Sequence, residues 1–359
     1  MPIAPVPDLR PRAAAVGAAA LETGALVPLG TTTTLVADGP LPFRVHLLER
    51  LTWKVRRTDD LRAAGSNPFL PPEPALCVAD LGPTHRAVLN KFPVVADHIL
   101  ILTRAFEHQQ ALLTRADCAA AAACLASLDG LVFYNGGAQA GASQAHKHLQ
   151  IIPLPLADWP PDAAARAAAG LPGGDDPEAA LSDGRFPLEA AWAAAPDDGQ
   201  GTPSQSPWLP FRHALVHLQP ARGDAPADPH LDADALHAAF TRACVAVGLT
   251  GLAPIYNLLL TRRHLLVVPR VRERTAGVAL NALAFAGSLL VPHPALLETV
   301  RRVGPLRLLR GVVEHGADLP PDPVPPRAPG PEAPPEASPP EASPPATPPP
   351  EPQPPPESP

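Results

Sequence analysis

Hydrophobic residues along this chain fall into two similar arrangements, one in each half of the sequence. In the first half, the short segment 90–93, expected to be a strand, leads through a polar turn into the apolar run 98–104. In the second half, residues 256–261 lead into the apolar run 264–270. Short apolar runs separated by a polar turn are typical of a β-hairpin with buried strands. Both halves are therefore predicted to contain such a hairpin, each closed by an arginine.

Alanine-rich segments have helical character at three places. Arg10 and Arg12 precede an Ala-rich run that is too short and too weakly apolar for a signal peptide, so a helix is expected there. The segment 114–117 has the pattern of a capping box, with Asp117 at the fourth position, ahead of a second Ala-rich helix. A further helical pattern extends over 232–247, before the second hairpin.

Composition changes twice along the chain, which indicates its domain boundaries. Residues 157–210 are rich in Ala, Pro, Gly and Asp and lack hydrophobic periodicity, so we interpret them as a linker or insertion with one short helix near Ala164. From about Pro320 the chain consists almost entirely of Pro, Glu, Ala and Ser, and this tail is expected to be disordered. The predicted organisation is a first module over 1–156, the linker over 157–210, a second module over 211–317 and the tail over 318–359.

Charge and composition argue against several classes of protein. The net charge is −7 and no basic stripe occurs, so a nucleic-acid partner is not expected. The four cysteines lack a Cys-x-x-Cys spacing, so neither disulfides nor a cysteine zinc site are expected. No stretch of about 18 apolar residues occurs, which argues against a membrane span. A cytoplasmic enzyme is the simplest interpretation.

The run 142–150, Ala-Ser-Gln-Ala-His-Lys-His-Leu-Gln, is the most informative part of the sequence. In an extended strand, alternate side chains point the same way, which places His146, His148 and Gln150 on one face. Leu149 would then face the opposite side. A buried strand has no structural need for two imidazoles and an amide in this order, whereas a site that attacks and holds a phosphate needs such groups.

Small residues precede this run and indicate an anion-binding turn. The predicted strand 131–134 continues into Asn135 and two glycines, and the segment 141–144 follows before the histidines. Glycines let several backbone N–H groups approach an anion closely. Asn-Gly is also the strongest short signal for an ordinary hairpin turn, and this alternative stays open.

Three interpretations of the paired histidines are open at this point. His148 is a candidate nucleophile, because a neutral imidazole attacks well at physiological pH and would form a covalent nucleotidyl-histidine. Gln150 and His146 would then donate hydrogen bonds to phosphate oxygens. Alternatively, the two histidines are a His-x-His metal pair, although no further ligand follows at a suggestive spacing. In the third interpretation they are surface histidines without a role.

The signature Gly-Ala-Ser-Gln-x-His-Lys-His-Leu-Gln resembles the His-x-His-x-Gln motif of the transferase branch of the histidine-triad superfamily. Within that branch it is similar to the ATP adenylyltransferase, or diadenosine tetraphosphate phosphorylase, family. The resemblance covers roughly residues 42–291 apart from the linker. Further blocks that resemble the family, in its order, lie at 90–95, 135–137, 256–261 and 283–290.

This resemblance implies an α+β fold of two fused histidine-triad-like modules, each an antiparallel sheet with flanking helices, followed by the disordered Pro-rich tail. It implies a nucleotidyltransferase that cleaves diadenosine tetraphosphate with inorganic phosphate to ATP and ADP through an adenylyl-histidine on His148. Gln150 stands where the hydrolase branch has histidine, and an amide cannot titrate as an acid or base. Alternatives are transfer to another acceptor such as sulfate (ADP-sulfurylase type), a nucleotide hydrolase, and a nucleotide sensor that has lost catalysis.

The resemblance also implies which residues bind the substrate. The expected binding residues are Lys54, Asn90, Lys91, Asn135, Gly141, Ala142, Ser143, Gln144, Asn257, Thr261 and Arg262. For Lys54 and Arg262, a solvated surface charge is an equal alternative. No tightly bound cofactor is expected, no metal is expected on the protein, and Mg²⁺ is expected only with the nucleotide. The expected partners are diadenosine polyphosphates, ATP, ADP and phosphate, and the oligomeric state is not predicted.

Overall fold

The computed structural model describes residues 3, 6–49, 67–173, 176–218, 231–251 and 253–315. The chain divides into two units, Met1–Asp322 and Pro323–Pro359, and all the described residues belong to the first. The predicted disordered tail and the predicted phosphate ligand Lys54 lie outside the described residues.

Helices form where the alanine-rich patterns predict them. The helices are α1 Leu9–Glu22, α2 Arg115–Ser127, α3 Ala163–Ala168, α4 Glu189–Ala193, α5 Ala233–Ala246, α6 Pro294–Val303 and α7 Pro305–Val313. The predictions of α1, α2, α5 and the short α3 near Ala164 are confirmed. The capping box of α2 is also confirmed, because Thr114 and Asp117 each accept a hydrogen bond from the backbone of the other. Within the described part of the chain, no helix is long and apolar enough to cross a membrane.

Strands account for most of the central architecture. They are β1 Thr31–Asp38, β2 Leu41–Leu48, β3 Cys77–Leu81, β4 His85–Leu89, β5 Ile99–Thr103, β6 Gly130–Gly136, β7 His148–Pro153, β8 Ala214–His217, β9 Tyr256–Leu260, β10 His264–Pro269, β11 Arg274–Thr275, β12 Val278–Ala279 and β13 Ser288–Val291. Strands β9 and β10 pair antiparallel, which confirms the second predicted hairpin. In the first half β5 also lies in an antiparallel hairpin, but its partner is β4, and residues 90–93, which were expected to form the first strand, belong to the connection between β4 and β5.

Both halves of the chain share the same sheets. The large sheet has eight strands in the order β3-β4-β5-β7-β6-β9-β10-β8, and the antiparallel pairing of β6 with β9 joins the halves along its middle. The smaller sheet has the order β1-β2-β13, with β13 parallel to β2. The α+β fold with antiparallel sheets is therefore confirmed, and the two predicted modules form one continuous sheet.

Two hydrophobic cores lie on opposite faces of the large sheet. Helices α1, α2 and α5 cover one face, where Leu149 and Ile151 are buried. The small sheet and helices α6 and α7 cover part of the other face, together with the segment interpreted as a linker, which contributes Trp192 at 0% exposure. Ile152 is buried in this second core, and because side chains alternate along β7, His148 and Gln150 share its face.

Candidate active site

The signature run enters the sheet at its centre, between β5 and β6. The sequence pattern predicts that the strand already includes His146, but strand β7 begins two residues later, at His148. His146 makes only an isolated β-bridge to His108. The predicted alternation holds. His146 and His148 both contact Phe69, whereas Lys147 reaches α2 on the opposite face.

The ring of His148 is held in one tautomer. Its Nδ1 lies 2.8 Å from the carbonyl oxygen of His146, and because a carbonyl only accepts, the Nδ1–H donates. The lone pair is therefore on Nε2, the nitrogen available for attack. Burial lowers the pKa of His148 to about 4, so the ring is neutral at physiological pH. The arrangement presents a neutral nucleophile in a fixed orientation.

The amide of Gln150 is oriented by a chain of hydrogen bonds that begins at Asn90. The Asn90 side-chain amide lies 3.1 Å from Nδ1 of His98, and Nε2 of His98 lies 3.0 Å from Oε1 of Gln150. The Gln150 oxygen accepts, so its NH₂ group is directed away from His98 and can donate elsewhere. Burial lowers the pKa of His98 to about 4, which keeps this relay neutral.

Asn90 is thus placed differently from the prediction that it binds phosphate. Its amide donates to His98, and its Oδ1 accepts from the backbone N–H of Phe92 at 3.1 Å. Both ends of the side chain are engaged by the protein. Asn90 orients the site through His98, a residue that sequence reasoning placed only in an apolar strand.

His146 also acts through the protein. Its Nδ1 accepts from the amide of Asn67 at 2.9 Å, and its Nε2 donates to the carbonyl of Thr103 at 2.8 Å. Both ring nitrogens are occupied, which leaves neither for the predicted phosphate contact or for a metal. Among the described residues no group of three His, Cys, Asp or Glu side chains is gathered to hold a metal. The contribution of His146 to the site is its carbonyl oxygen, which fixes the tautomer of His148.

A buried charged network lies behind the histidines. Lys147 is 0% exposed, and its Nζ donates to Asp117 at 2.6 Å and to Glu107 at 3.1 Å. The other carboxylate oxygen of Asp117 accepts from Nε2 of His85 at 2.9 Å. This network attaches the residue between the two histidines to the N-terminus of α2.

The glycine-rich loop between β6 and β7 is more compact than a hairpin turn. Gly137 and Gly141 have φ of 98° and 92°, and a single 3₁₀ turn, Ala138–Ala140, lies between them. A Cβ on Gly141 would lie 2.8 Å from the Cβ of Asn281, so only glycine fits. Ala142 and Gln144 are half-buried and Ser143 is exposed on the segment that leads to His146. Their predicted phosphate contacts stay predictions.

Asn135 and Asn257 hold the two halves together, and their predicted role as substrate ligands stays a prediction. The amide of Asn257 donates to Oδ1 of Asn135 and to the carbonyl of Ala140, both at 2.9 Å. Asn135 Oδ1 also accepts from the N–H of Ala282 at 2.9 Å. A guanidinium N–H of the buried Arg270 donates to Oδ1 of Asn257. Through these bonds Asn257 and the Oδ1 of Asn135 brace the loop from below.

Thr261 and Arg262 lie away from His148, and their predicted substrate contacts stay predictions. Asn257 pairs with Asn135, and Thr261 directly follows the end of β9, four residues and roughly 13 Å from Asn257 at about 3.3 Å per residue. The Thr261 hydroxyl accepts backbone N–H bonds that close the β9–β10 turn. Arg262 donates to the carbonyls of Leu125 and Ala126 at the C-terminus of α2, at 2.7 and 3.2 Å.

Replacing Arg262 by glutamine is therefore expected to affect stability and not substrate affinity. The free energy of unfolding should fall by about 1 kcal/mol, because two carbonyls at a helix C-terminus lose a cationic donor. The KM for the dinucleotide substrate that the sequence resemblance implies should stay within twofold. Urea unfolding and steady-state kinetics measure the two quantities, with the exposed neighbour Arg263→Gln as the control. A tenfold rise in KM confined to the Arg262 variant would restore the phosphate-binding role.

The remaining predicted ligand in the described region is Lys91. Its Nζ forms an ion pair with Glu73 at 2.6 Å, and both side chains are more than a third exposed. Lys91 directly follows Asn90, and its ion pair is exposed, so a substrate phosphate could replace Glu73 as the partner of the Lys91 ammonium. The role of Lys91 stays a prediction.

Comparison with known proteins adds independent information. Residues 4–165 match the family model of the Ap4A phosphorylase N-terminal domain, and residues 207–314 match that of the ATP adenylyltransferase C-terminal domain. Diadenosine 5',5'''-P1,P4-tetraphosphate phosphorylase 2 of Saccharomyces cerevisiae is 29% identical over 261 residues, which is 65% of this chain and 71% of that protein. Protein APA1 of the same yeast is 34% identical over 151 residues, 38% of this chain, and this match spans less than half, 46%, of its length.

Solved structures show the same fold. The crystal structure of yeast Ap4A phosphorylase Apa2 in complex with Ap4A has a TM-score of 0.64 to this chain at 24% identity, covering 86% of this chain and 98% of that chain. A second crystal structure, that of yeast Ap4A phosphorylase Apa2, has a TM-score of 0.63 to this chain at 25% identity, with the same coverage of both chains.

Proposed function

Because this chain belongs to the Ap4A phosphorylase and ATP adenylyltransferase family, whose two domain models match most of its described residues, we propose that it phosphorolyses diadenosine tetraphosphate to ATP and ADP. The yeast phosphorylase 2 and the yeast Apa2 structure are both named as phosphorylases of this dinucleotide. The geometry around His148 supports a mechanism in two displacements with a covalent adenylyl-histidine between them.

In the first displacement, Nε2 of His148 attacks an α-phosphorus of the dinucleotide. A P–N bond forms, and the bond from that phosphorus to its bridging oxygen breaks, so that ATP leaves with the electron pair. The ring becomes cationic, and its Nδ1–H stays directed at the His146 carbonyl, which stabilises the new positive charge. No proton has to move in this step.

In the second displacement, an oxygen of inorganic phosphate attacks the adenylyl phosphorus. The P–N bond breaks, its electrons return to Nε2, and ADP is released with neutral His148 restored. The NH₂ group of Gln150 can donate to the bridging oxygen that leaves or enters, and it cannot titrate as an acid or base. This property suits an intermediate that phosphate, rather than water, intercepts.

The single observation that carries the proposal is the hydrogen bond from His148 Nδ1 to the His146 carbonyl at 2.8 Å. It sets the lone pair on Nε2. A His-x-His metal pair is disfavoured because both ring nitrogens of His146 already have protein partners, and an idle surface histidine is not expected to be only 3% exposed. The loop residues 141–144 and the ammonium of Lys91 are proposed to hold the phosphates, with Lys54 as a further proposed cation.

The test is intact-mass measurement of the protein after mixing with diadenosine tetraphosphate in the absence of phosphate. We expect a mass increase of one adenylyl group that is labile to acid, as phosphoramidates are. Addition of phosphate should then discharge the group as ADP. Protein that turns the substrate over without ever carrying the group would contradict the covalent route.

An acceptor panel separates the proposed reaction from its alternatives. Phosphate, sulfate and pyrophosphate are offered to the adenylylated protein, and the products are separated by chromatography. Release of ADP with phosphate supports the proposal. Preferential reaction with sulfate would identify an ADP-sulfurylase type of enzyme, and equal turnover without any acceptor would identify a hydrolase.

The pH dependence of adenylylation follows from the state of His148. Burial lowers the pKa of this ring to about 4, and protonation removes the attacking lone pair. The single-turnover rate constant of adenylylation, measured in the absence of phosphate, is therefore expected to be constant from pH 8 to about 5.5 and to fall only as the pH approaches 4. An acid limb centred near pH 6.5, the value of a free imidazole, would contradict this burial effect.

Magnesium is proposed as a companion of the polyphosphate rather than as a group held by the protein, since divalent cations commonly neutralise the charge of transferring phosphates. The cytoplasmic location stays a prediction from the sequence.

A further inference from the structure

The pairing of β6 with β7 ends just before the nucleophile. The register pairs Phe133 with Gln150, and by the same register the next equivalent pair would be Asn135 with His148. The paired stretch of the two strands, Gly130–Phe133 against Gln150–Pro153, does not include a pair between Asn135 and His148. We call this missing pair of backbone hydrogen bonds the missing rung. The two strands part at the residue that carries the attacking ring.

The side chain of Gln109 fills this missing rung. Its Oε1 accepts from the backbone N–H of His148 at 2.7 Å, and its Nε2 donates to the His148 carbonyl at 3.2 Å. These are the two bonds that a residue of β6 would exchange with His148 in a regular antiparallel pair. The same Nε2 donates to the carbonyl of Asn135 at 2.9 Å, so the carboxamide bridges the separated strands.

Gln109 is itself firmly held. It is 1% exposed, and its backbone N–H donates to the carbonyl of Ala145 at 2.8 Å. Its own carbonyl accepts from the hydroxyl of the buried Tyr134. The carboxamide therefore has a fixed position from which to set the main chain of His148.

We propose that Gln109 is a positioning residue for the nucleophile: its carboxamide replaces one rung of the sheet, parts β6 from β7 beside the glycine-rich loop, and fixes the main chain of His148. The orientation of the ring depends on this main chain, because the short Nδ1 bond runs to the peptide carbonyl two residues earlier. The inference rests on the proposed adenylyl transfer to His148. Displacements of about 1 Å are enough to slow such reactions by up to about 10²-fold.

The first test compares Gln109→Leu with Gln110→Leu. Gln110 is the adjacent residue, and its side chain donates to the carbonyl of Ala253 at 2.9 Å without contacting His148. We expect Gln109→Leu to slow single-turnover adenylylation by about 10- to 100-fold with the KM for diadenosine tetraphosphate within threefold. Gln110→Leu should keep the wild-type rate. Equal rates in the two variants would overturn the proposal.

The second test uses Gln109→Glu, which preserves shape and also covers the case in which the leucine variant does not fold. The ionised carboxylate would face the carbonyl oxygens of Asn135 and His148, whereas the protonated carboxyl regains a donor. The adenylylation rate of this variant should be low at pH 8 and rise toward the wild-type value as the pH falls to 5.5. The wild-type rate should be flat over this range, so a flat, unimpaired profile in the variant would refute the assignment.

A measurement without substrate separates this inference from the proposed function. Nitrogen NMR of the His148 ring reports its tautomer directly. The wild-type protein should show the Nδ1–H form, and Gln109→Leu should show a mixture with the Nε2–H form. An unchanged tautomer in Gln109→Leu would count against the positioning role even if adenylylation is observed. A changed tautomer in Gln109→Leu, together with a wild-type protein that never becomes adenylylated, would instead count against the proposed function.

Discussion

In His148→Ala the rate of phosphorolysis of diadenosine tetraphosphate is expected to fall by about 10⁴-fold or more. The variant lacks the only group proposed to form the covalent bond, and residual turnover could come only from positioning and charge stabilisation. It should also show no adenylyl adduct in the intact-mass experiment. Binding of the nucleotide should persist, because the loop 141–144 and Lys91 are unchanged.

The matched control is His237→Ala, which removes a half-exposed imidazole from α5, where the structure places no site residue. It should retain wild-type activity and the adduct. Both variants are compared by thermal unfolding, so that a loss of activity cannot be attributed to a loss of fold. An adenylyl adduct of the same mass on His148→Ala would move the nucleophile to another residue.

Asp117→Asn is expected to have the largest effect on stability. Asp117 is 1% exposed and supplies the closest carboxylate to the ammonium of Lys147, which is 0% exposed. Loss of this charge leaves a buried cation whose remaining ion-pair partner among the described residues is the half-exposed Glu107, at 3.1 Å. Breaking a buried ion pair on one side typically costs about 3–5 kcal/mol in the free energy of unfolding. Urea denaturation measures the loss.

Removal of the cation should restore part of this stability. In Asp117→Asn/Lys147→Met no buried charge is left without its partner, so the double variant should be more stable than Asp117→Asn alone. The control Asp234→Asn breaks the exposed ion pair with Arg115 and should change stability very little. A double variant that is less stable than the single variant would show that the ammonium is stabilised by groups other than Asp117.

The same carboxylate should make the protein sensitive to acid. Burial acts to raise the pKa of Asp117, but the hydrogen bond from His85 and the charge of Lys147 outweigh it and lower the pKa to about 2. In the unfolded chain the value is near 3.9. This group therefore contributes stability above pH 4, on the order of 2 kcal/mol, that is lost as the pH falls from 4 to 2. The acid loss should be smaller in Asp117→Asn.

The elements of the fold follow closely from the hydrophobic pattern. Long apolar runs between polar turns become β4–β5 and β9–β10, since such runs are favourable only where both faces of a strand are covered. The capping box at 114–117 predicts the start of α2 because its two hydrogen bonds are local. The pairing of β6 with β9 could not be predicted, because it joins residues that lie more than 100 positions apart.

The polar residues of the site were harder to predict than its strands. Asn90, Asn135 and Asn257 have the chemistry of phosphate ligands, but the structure uses them to bond other protein groups. An amide serves both purposes equally well, and the sequence does not show which partner it meets. Gln109 was missed because it lies in a polar stretch without periodicity. The position of Arg262 at the C-terminus of α2 follows from the pairing of β6 with β9, which the sequence does not show.

A fragment that stops after residue 165 would contain β6 without β9. The pairs Val132–Leu260 to Gly136–Tyr256 would be lost, and β2 would also lose β13. Bare strand edges recruit other chains, so such a fragment would aggregate rather than fold alone. Because β6 pairs with β9 and β2 with β13, neither half of the chain is expected to be soluble and folded without the other.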